Sequence, residues 1–471
     1  MHAPPDLIVS GLALDSRKVE EGFLFFALPG EKEDGGEFIA EAKARGAACA
    51  VCEHPPETEI PYILVPDAHK ALALCAAVWY GTPAGKLTVV GVTGTNGKTT
   101  TTILIKQILE KTLGAKVGLI GSISNMIGDE EFHAEHTTPE SCDLQALFRQ
   151  MADAGCTHCV MEVSSHSLVL RRVAGVHFAV GLFTNLTQDH LDFHNTMEEY
   201  AKAKAMLFPM CEKTAANADD PWTETVMKDA PQPVYTFSAK SDSASLTARD
   251  IRLAPSGVRF CALEEGELVR VKTNLPGQFS VYNALAAISC ARLLGVSLAD
   301  AAAALETAHG AKGRVEPVPT DGDYSIFIDY AVTPDAIENV LTTLRGIAPK
   351  RLVMLFGAGG DRDRKKRPIM GKLSADIADF VIVTSDNPRT EDPMSIIEEI
   401  LPGVRAGKAP YKVICDRPEA IRWAIDHHEP GDVILLCGKG HEDYQIIGHE
   451  KIHMDEREIV ADYLAERAKR T

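Results

Sequence analysis

The chain has 471 residues, a net charge of -18 and 45% hydrophobic residues, a size that allows about three domains of roughly 150 residues, each able to bury its own core. The acidic balance excludes broad nucleic-acid binding, which needs clustered cations. No apolar run reaches the length of a membrane span and the opening MHAPPDLIVS lacks an export signal, so a soluble cytoplasmic protein is expected.

Residues 1–86 mix short strand text (LIVSGLAL, GFLFFALPG, AACAVC) with helical text (EFIAEAKARG, HKALALCAAVWYG) and stop at the breaker cluster Gly81-Thr82-Pro83. This predicts a small α/β unit. Residues 87–312 alternate strands such as AKVGLIGS, HCVMEVSS and FAVGLFTNL with helices such as CDLQALFRQMADAG, the rhythm of a mostly parallel sheet with crossover helices. Hairpin-like text follows between Ala248 and Gln278, then alanine-rich helices. Residues 313–471 return to strand-helix alternation, and their strands end in polar or glycine-rich tips (GAGGDRD, SDNPR, CGKGHED). Ligands bind at such carboxyl ends in open α/β sheets.

The stretch from Lys86 to Thr102, KLTVVGVTGTNGKTTTT, is an apolar strand running into a glycine-rich turn and a helix start. Gly94 and Gly97 allow the backbone to curl with its NH groups aimed at phosphate oxygens. Lys98 would reach the β and γ phosphates, while Thr99 or Thr100 offers a hydroxyl to magnesium at a helix N-terminus. The general P-loop pattern wants glycine at position 92, and Val92 stands there. Farther on, Glu162 ends a buried strand in MEVSSHSL, and Asn185, Asp189 and His190 follow another in FTNLTQDHLDFH. A carboxylate and an imidazole at that sheet edge suit a divalent cation. His194 lacks the glutamate of a zinc helix. Lys202 and Lys204, read alone, are the solvated face of a helix. The eleven cysteines, including Cys49/Cys52 and Cys156/Cys159, sit in apolar text and read as buried reduced thiols.

Taken jointly, VVGVTGTNGKTTT, EVSSHSL, FTNLTQDHLDFH, YAKAKAMLF, NADD and GQFSVYNALAA resemble the Mur ligases of bacterial peptidoglycan synthesis. DSRKV near the start and GRVEPV, DYAVTPDAIENVL, GAGGDRDRKKRPIMG, SDNPR and GKGHEDYQ near the end extend the resemblance over nearly the whole chain. Within the family the text looks like the member that adds the third amino acid of the stem peptide. The resemblance implies an α/β protein of three domains. Residues 1–86 would bind the UDP end of the substrate, residues 87–312 would be the P-loop ligase domain, and residues 313–471 would be a Rossmann-like domain for the amino acid.

It also assigns roles. Gly94, Thr95, Asn96, Gly97, Lys98, Thr99 and Thr100 would bind ATP. Glu162, His190 and Thr99 would ligate Mg2+, joined by Lys204, which aligns with a lysine carbamylated in these enzymes and so turned into an anion. Lys98, Lys204, Glu162 and His190 form the catalytic set. Leu14, Ser16, Thr137, Thr138, Ser164 and Arg172 would hold the UDP-N-acetylmuramoyl-dipeptide. Arg362, Asp386, Asn387, Pro388, Arg389, Gly438 and Glu442 would hold meso-diaminopimelate.

Asp386-Asn387-Pro388-Arg389 alone reads as a strand-end turn. In the family's context it separates diaminopimelate from lysine, because an arginine fork grips the second carboxylate of the former and repels the ammonium of the latter. Val332 and Ala358 depart from the family's usual histidine and cysteine. The expected reaction is ATP-driven amide synthesis through an acyl phosphate, by a monomer acting on small molecules, with no nucleic acid or membrane partner. Rivals are a lysine-adding relative, a ligase of the folylpolyglutamate synthase kind, and a noncatalytic P-loop switch or sugar-nucleotide scaffold.

Overall fold

A computed structural model describes residues 4, 6–30, 33–348 and 350–469. Most of the MHAPP opening, on which the reading of the export signal partly rests, lies outside the described residues. The chain divides into two compact units, one of Met1–Phe237 with Ser289–Val296 and one of Ser238–Ile288 with Ser297–Thr471.

The first unit begins with a four-stranded parallel sheet in the order Gly11–Ala13, Phe23–Phe26, Cys49–Cys52, Tyr62–Leu64. Alternate residues of a strand face opposite ways. Accordingly Phe25, Ala50 and Cys52 pack with Ile39 and Ala42 of the helix Ile39–Ala44, while Leu24, Phe26, Cys49 and Val51 pack with Leu72 of the helix Ala68–Trp79.

The same unit holds the P-loop sheet. The strand Thr88–Thr93 lies between His158–Glu162 and Phe178–Phe183, parallel to both. Val117–Ile120 continues the parallel run beyond His158–Glu162, and Cys211–Asn217 and Tyr235–Ser238 continue it on the other side. Helices cover both faces, so these strands are apolar along their whole length: Val89, Val90, Val92, Leu182 and Phe183 are fully buried. After the P-loop strand the chain does not add its neighbour next but skips one position to Val117–Ile120. The later strands fill the two adjacent places, leaving a crevice at the carboxyl end of Thr88–Thr93.

In the second unit, Leu246–Ala254, Gly257–Glu264 and Glu267–Thr273 form the antiparallel meander that the alternating text predicts. A six-stranded sheet follows in the order Glu316–Val318, Ser325–Asp329, Val433–Cys437, Leu352–Phe356, Phe380–Val383, Tyr411–Val413, parallel except at its first pair. Phe327, Met354, Val381 and Leu435 pack with the helices Pro334–Arg345, Lys366–Ile377 and Pro393–Ala406. Ile328, Leu355, Ile382 and Leu436 on the other face meet the helices Arg417–Asp426 and Glu456–Ala468. This is a doubly wound, Rossmann-like layer arrangement.

Candidate active site

The P-loop sits where strand Thr88–Thr93 gives way to helix Lys98–Leu113. Gly94 has φ +151, and a Cβ there would lie 1.9 Å from Thr184 Oγ1, so the position admits glycine only. Gly97, at φ 82, caps the helix. A second loop, Thr184–Thr187, braces the first: Thr95 N donates to Asn185 O at 2.8 Å, Asn96 N to Asn185 Oδ1 at 2.9 Å, and Thr184 Oγ1 to Asn96 O at 2.7 Å. The Thr95 hydroxyl is committed to Thr187 O at 3.2 Å and Tyr200 OH at 3.3 Å. Lys98 Nζ donates to the carbonyls of Gly94 and Thr95, each at 2.9 Å.

Lys202 and Lys204 share the helix Met197–Ala205 and differ sharply. Lys202 is exposed, as a solvated face requires, but Lys204 is 1% exposed and its Nζ donates to Gly94 O at 2.8 Å. Burial, reinforced by the charge of Lys98, holds the Lys204 amine well below the usual lysine range. The solvated-face reading therefore fails for Lys204: it points at the P-loop. His190 is exposed at φ 52, with its ring 4.9 Å from that of His166. His194 is buried, shares a hydrogen bond of 2.8 Å with Ser165 Oγ, and is pushed down to about 4 by burial and by the nearby His166 and Lys204.

Glu162 is 1% exposed and stands opposite Val92 in the ladder, two residues before Gly94. Its carboxylate accepts from Ser122 N at 2.9 Å and Ser122 Oγ at 3.2 Å, and that hydroxyl lies 3.0 Å from Thr137 Oγ1. Thr138 Oγ1 donates to Glu162 O at 2.9 Å and receives Ser164 N at 3.1 Å, while Arg172 Nη1 donates to Thr138 O at 3.1 Å. Thr137, Thr138, Ser164 and Arg172 thus form one network around Glu162. Just after the strand Gly11–Ala13, Ser16 is buried and donates to Glu41 Oε2 at 2.8 Å, and Leu14 packs against the cluster of Leu24, Phe26 and Leu72.

Among the described residues no three His, Cys, Asp or Glu side chains converge as a metal cage. Mg2+ keeps waters and takes substrate phosphates in place of a full protein cage, and the buried Glu162 carboxylate, opposite Val92 of the P-loop strand, is an oxygen donor of the kind it takes. Glu162, His190, the Thr99 hydroxyl and Lys204 as its carbamate are the groups that would hold it.

The second unit carries a separate cluster at its own strand ends. Asn387 is the hub: its Nδ2 donates to Glu442 Oε2 at 2.9 Å, and its Oδ1 accepts from Lys439 Nζ at 2.8 Å and Ile446 N at 2.9 Å. Lys439, fully buried, also donates to Glu442 Oε2 at 2.7 Å. The sequence reading passed over this lysine, although it stands between two glycines just after a strand. Ser122, the partner of Glu162, was likewise missed, and nothing in its local text marks it. Asp386 is buried and caps its neighbour, accepting Asn387 N at 2.7 Å; Pro388 is buried too.

Arg389 is half-buried at φ 51, held by Nη1 donating to Gly360 O at 2.8 Å. Among the described residues it makes no ion pair, while Glu442 is matched by Lys439. Gly438 lies beside Asp386, and Arg362 is exposed on the neighbouring loop. Val332 lends its carbonyl to Lys366 Nζ at 2.9 Å, and Ala358 is buried in the core.

Three family models match the chain: "Mur ligase family, catalytic domain" at residues 8–80, "Mur ligase middle domain" at 92–291 and "Mur ligase, glutamate ligase domain" at 313–440. The chain is 47% identical to UDP-N-acetylmuramoyl-L-alanyl-D-glutamate--2,6-diaminopimelate ligase of Caldanaerobacter subterraneus subsp. tengcongensis, covering 99% of this chain and 96% of that one. It is 44% identical to the enzyme of the same name from Clostridium tetani, covering 98% and 96%. A solved structure of a ligase of that name aligns with a TM-score of 0.75 at 32% identity, over 98% of this chain and 95% of that one.

Proposed function

The chain belongs to the Mur ligase family, and from that premise we propose that it joins meso-diaminopimelate to UDP-N-acetylmuramoyl-L-alanyl-D-glutamate at the expense of ATP. The observation that carries the choice of amino acid is Arg389. Among the described residues it has no carboxylate partner, while Lys439 beside it is paired with Glu442, and it stands at the end of a strand where an open sheet receives ligands. The second carboxylate of diaminopimelate completes it with paired hydrogen bonds, and the ammonium of lysine does not.

The chemistry follows from the residues. The NH groups of Gly94–Thr100 and the Lys98 ammonium hold the ATP phosphates, so that the γ-phosphoryl is positioned for transfer to the D-glutamate γ-carboxylate. Glu162, His190, Thr99 and Lys204 as its carbamate would hold Mg2+, which would supply charge neutralisation on the phosphates. A neutral amine is the form of lysine that adds CO2, and the burial that lowers the Lys204 pKa favours that form. Thr137, Thr138, Ser164 and Arg172 orient the dipeptide end, and Leu14 and Ser16 the uridine end. The diaminopimelate amine, held by the Asp386–Arg389 loop with Arg362, Gly438 and Glu442, then attacks the acyl phosphate. A C–N bond forms, the C–O bond to phosphate breaks, and the nitrogen loses a proton. Because Glu442 is already paired with Lys439, it receives the distal amine as a shared rather than a free carboxylate.

On this reading residues 1–86, 87–312 and 313–471 bind the nucleotide-sugar end, ATP and the amino acid in turn. Among the described residues no helix is long and apolar enough to cross a membrane. The substrates are water-soluble and ATP is cytoplasmic, which supports action in the cytoplasm on small molecules. The test is phosphate release with the UDP-dipeptide and ATP, comparing meso-diaminopimelate with L-lysine. Turnover with the former alone is expected; preference for lysine would falsify the role of Arg389.

A further inference from the structure

Beneath the Asp386–Arg389 loop lies a buried ion pair that substrate binding does not use. Arg417 opens the helix Arg417–Asp426 and Glu456 opens the helix Glu456–Ala468. Both side chains are fully buried, and Arg417 Nε donates to Glu456 Oε1 at 2.8 Å. The rest of the fork reaches two different strand ends. Nη2 donates to Cys437 O at 2.8 Å, where Val433–Cys437 turns into the Gly438–Glu442 loop, and Nη1 donates to Ser385 O at 3.3 Å, just before Asp386.

Those two strands are not adjacent, because Leu352–Phe356 runs between them. No ladder hydrogen bond joins these two strands to each other; above them Asn387 bonds Lys439 and Glu442 and Arg389 bridges to Ile447, while Arg417 ties the two strand ends from beneath. Nη1 also stands 3.9 Å from Asp386 Oδ2, a buried oxygen with no hydrogen-bond partner. On the other side of that oxygen is Gly438, where a Cβ would lie only 2.6 Å away. The carboxylate of Asp386 is thus fixed between the Arg417 charge and the Gly438 backbone.

A buried ion pair contributes little to net stability, since desolvation offsets the attraction. What this one does is geometric. We propose that Arg417, oriented by Glu456, is a positioning residue that spans the intervening strand and fixes the Asp386–Arg389 loop against the Gly438–Glu442 loop, and so sets affinity and selectivity for the amino acid. The proposal rests on the reading of this cluster as the diaminopimelate site. A planar guanidinium makes three directed contacts in different directions, and an ammonium in the same place cannot reproduce them.

The experiment is steady-state kinetics of the full chain with each of the three substrates varied, for wild type, Arg417→Lys and Glu456→Gln, with thermal melts to confirm folding. Arg417→Lys is expected to raise KM for meso-diaminopimelate about tenfold, leave KM for ATP and the UDP-dipeptide within about twofold, and narrow the preference over L-lysine. Glu456→Gln, which keeps a neutral acceptor for Nε, is expected to shift the same constant in the same direction by a smaller factor. It decides the question should Arg417→Lys fail to fold. A folded variant whose diaminopimelate KM is unchanged, or whose three KM values move together, overturns the positioning role. Wild type that turns over without preferring meso-diaminopimelate overturns instead the reading of the site on which it rests.

Discussion

At the residue scale, two lysines two positions apart show how little a side chain's identity says about its role. Lys202 is solvated and Lys204 is buried against the P-loop carbonyl of Gly94. If the Lys204 amine becomes a carbamate, Lys204→Ala should lower kcat by about a hundredfold or more, the scale of losing one charge-stabilising group. Added acetate or formate should restore part of it in the phosphate-release assay; activity that returns with no addition would mean the carbamate assignment is wrong. Gly94 offers a sharper steric case. With a Cβ meeting Thr184 Oγ1 at 1.9 Å and a backbone at φ +151, Gly94→Ala should cost about 2 kcal/mol or more and abolish binding of an ATP analogue. Calorimetric titration and a urea melt would check both. The glycine requirement was legible in the spacing of TGTNGKT, whereas the colliding hydroxyl, ninety positions on in sequence, was not.

At the element scale, strands and crossover helices follow from their apolar periods, but the seams between helices hold charges that the periods do not reveal. Helix Lys366–Ile377 packs on helix Pro393–Ala406, and its Arg367, fully buried, pairs with Glu391 at 2.8 Å and Glu399 at 2.7 Å. The Arg367 hydrogen bonds, then the Asp361 NH, hold Glu391 down to about 2 from an ordinary 4.5. The folded state therefore binds fewer protons than the unfolded state between those values. The pair's stabilisation is fully present above pH 4.5 and is lost as pH falls toward 2. Urea melts should show Glu391→Gln less stable than wild type by a constant margin at pH 6–8, with the margin shrinking below 4.5. A margin independent of pH would assign the effect to packing alone.

At the scale of the whole molecule, the phosphate cradle and the amino-acid cluster belong to different compact units. Hydrogen exchange should separate them. A non-hydrolysable ATP analogue is expected to protect residues 94–100 and 184–190, and meso-diaminopimelate to protect 385–389 and 437–446, with L-lysine leaving the second set unprotected. Protection of both sets by lysine would count against Arg389 as the selecting group. The sequence by itself determined the α/β class, the meander after Ala248, the P-loop and, through a dozen short motifs, the family. Local rules suffice for these, because strand periods, turn glycines and helix caps act within a few residues. Only the tertiary structure decided which lysines are buried, that Ser122 and Thr138 are tied to Glu162, that Lys439 neutralises Glu442, and that Arg417 reaches across a strand to two loops. Those facts depend on desolvation and on contacts between residues far apart in sequence, and neither quantity is carried by any local stretch of text.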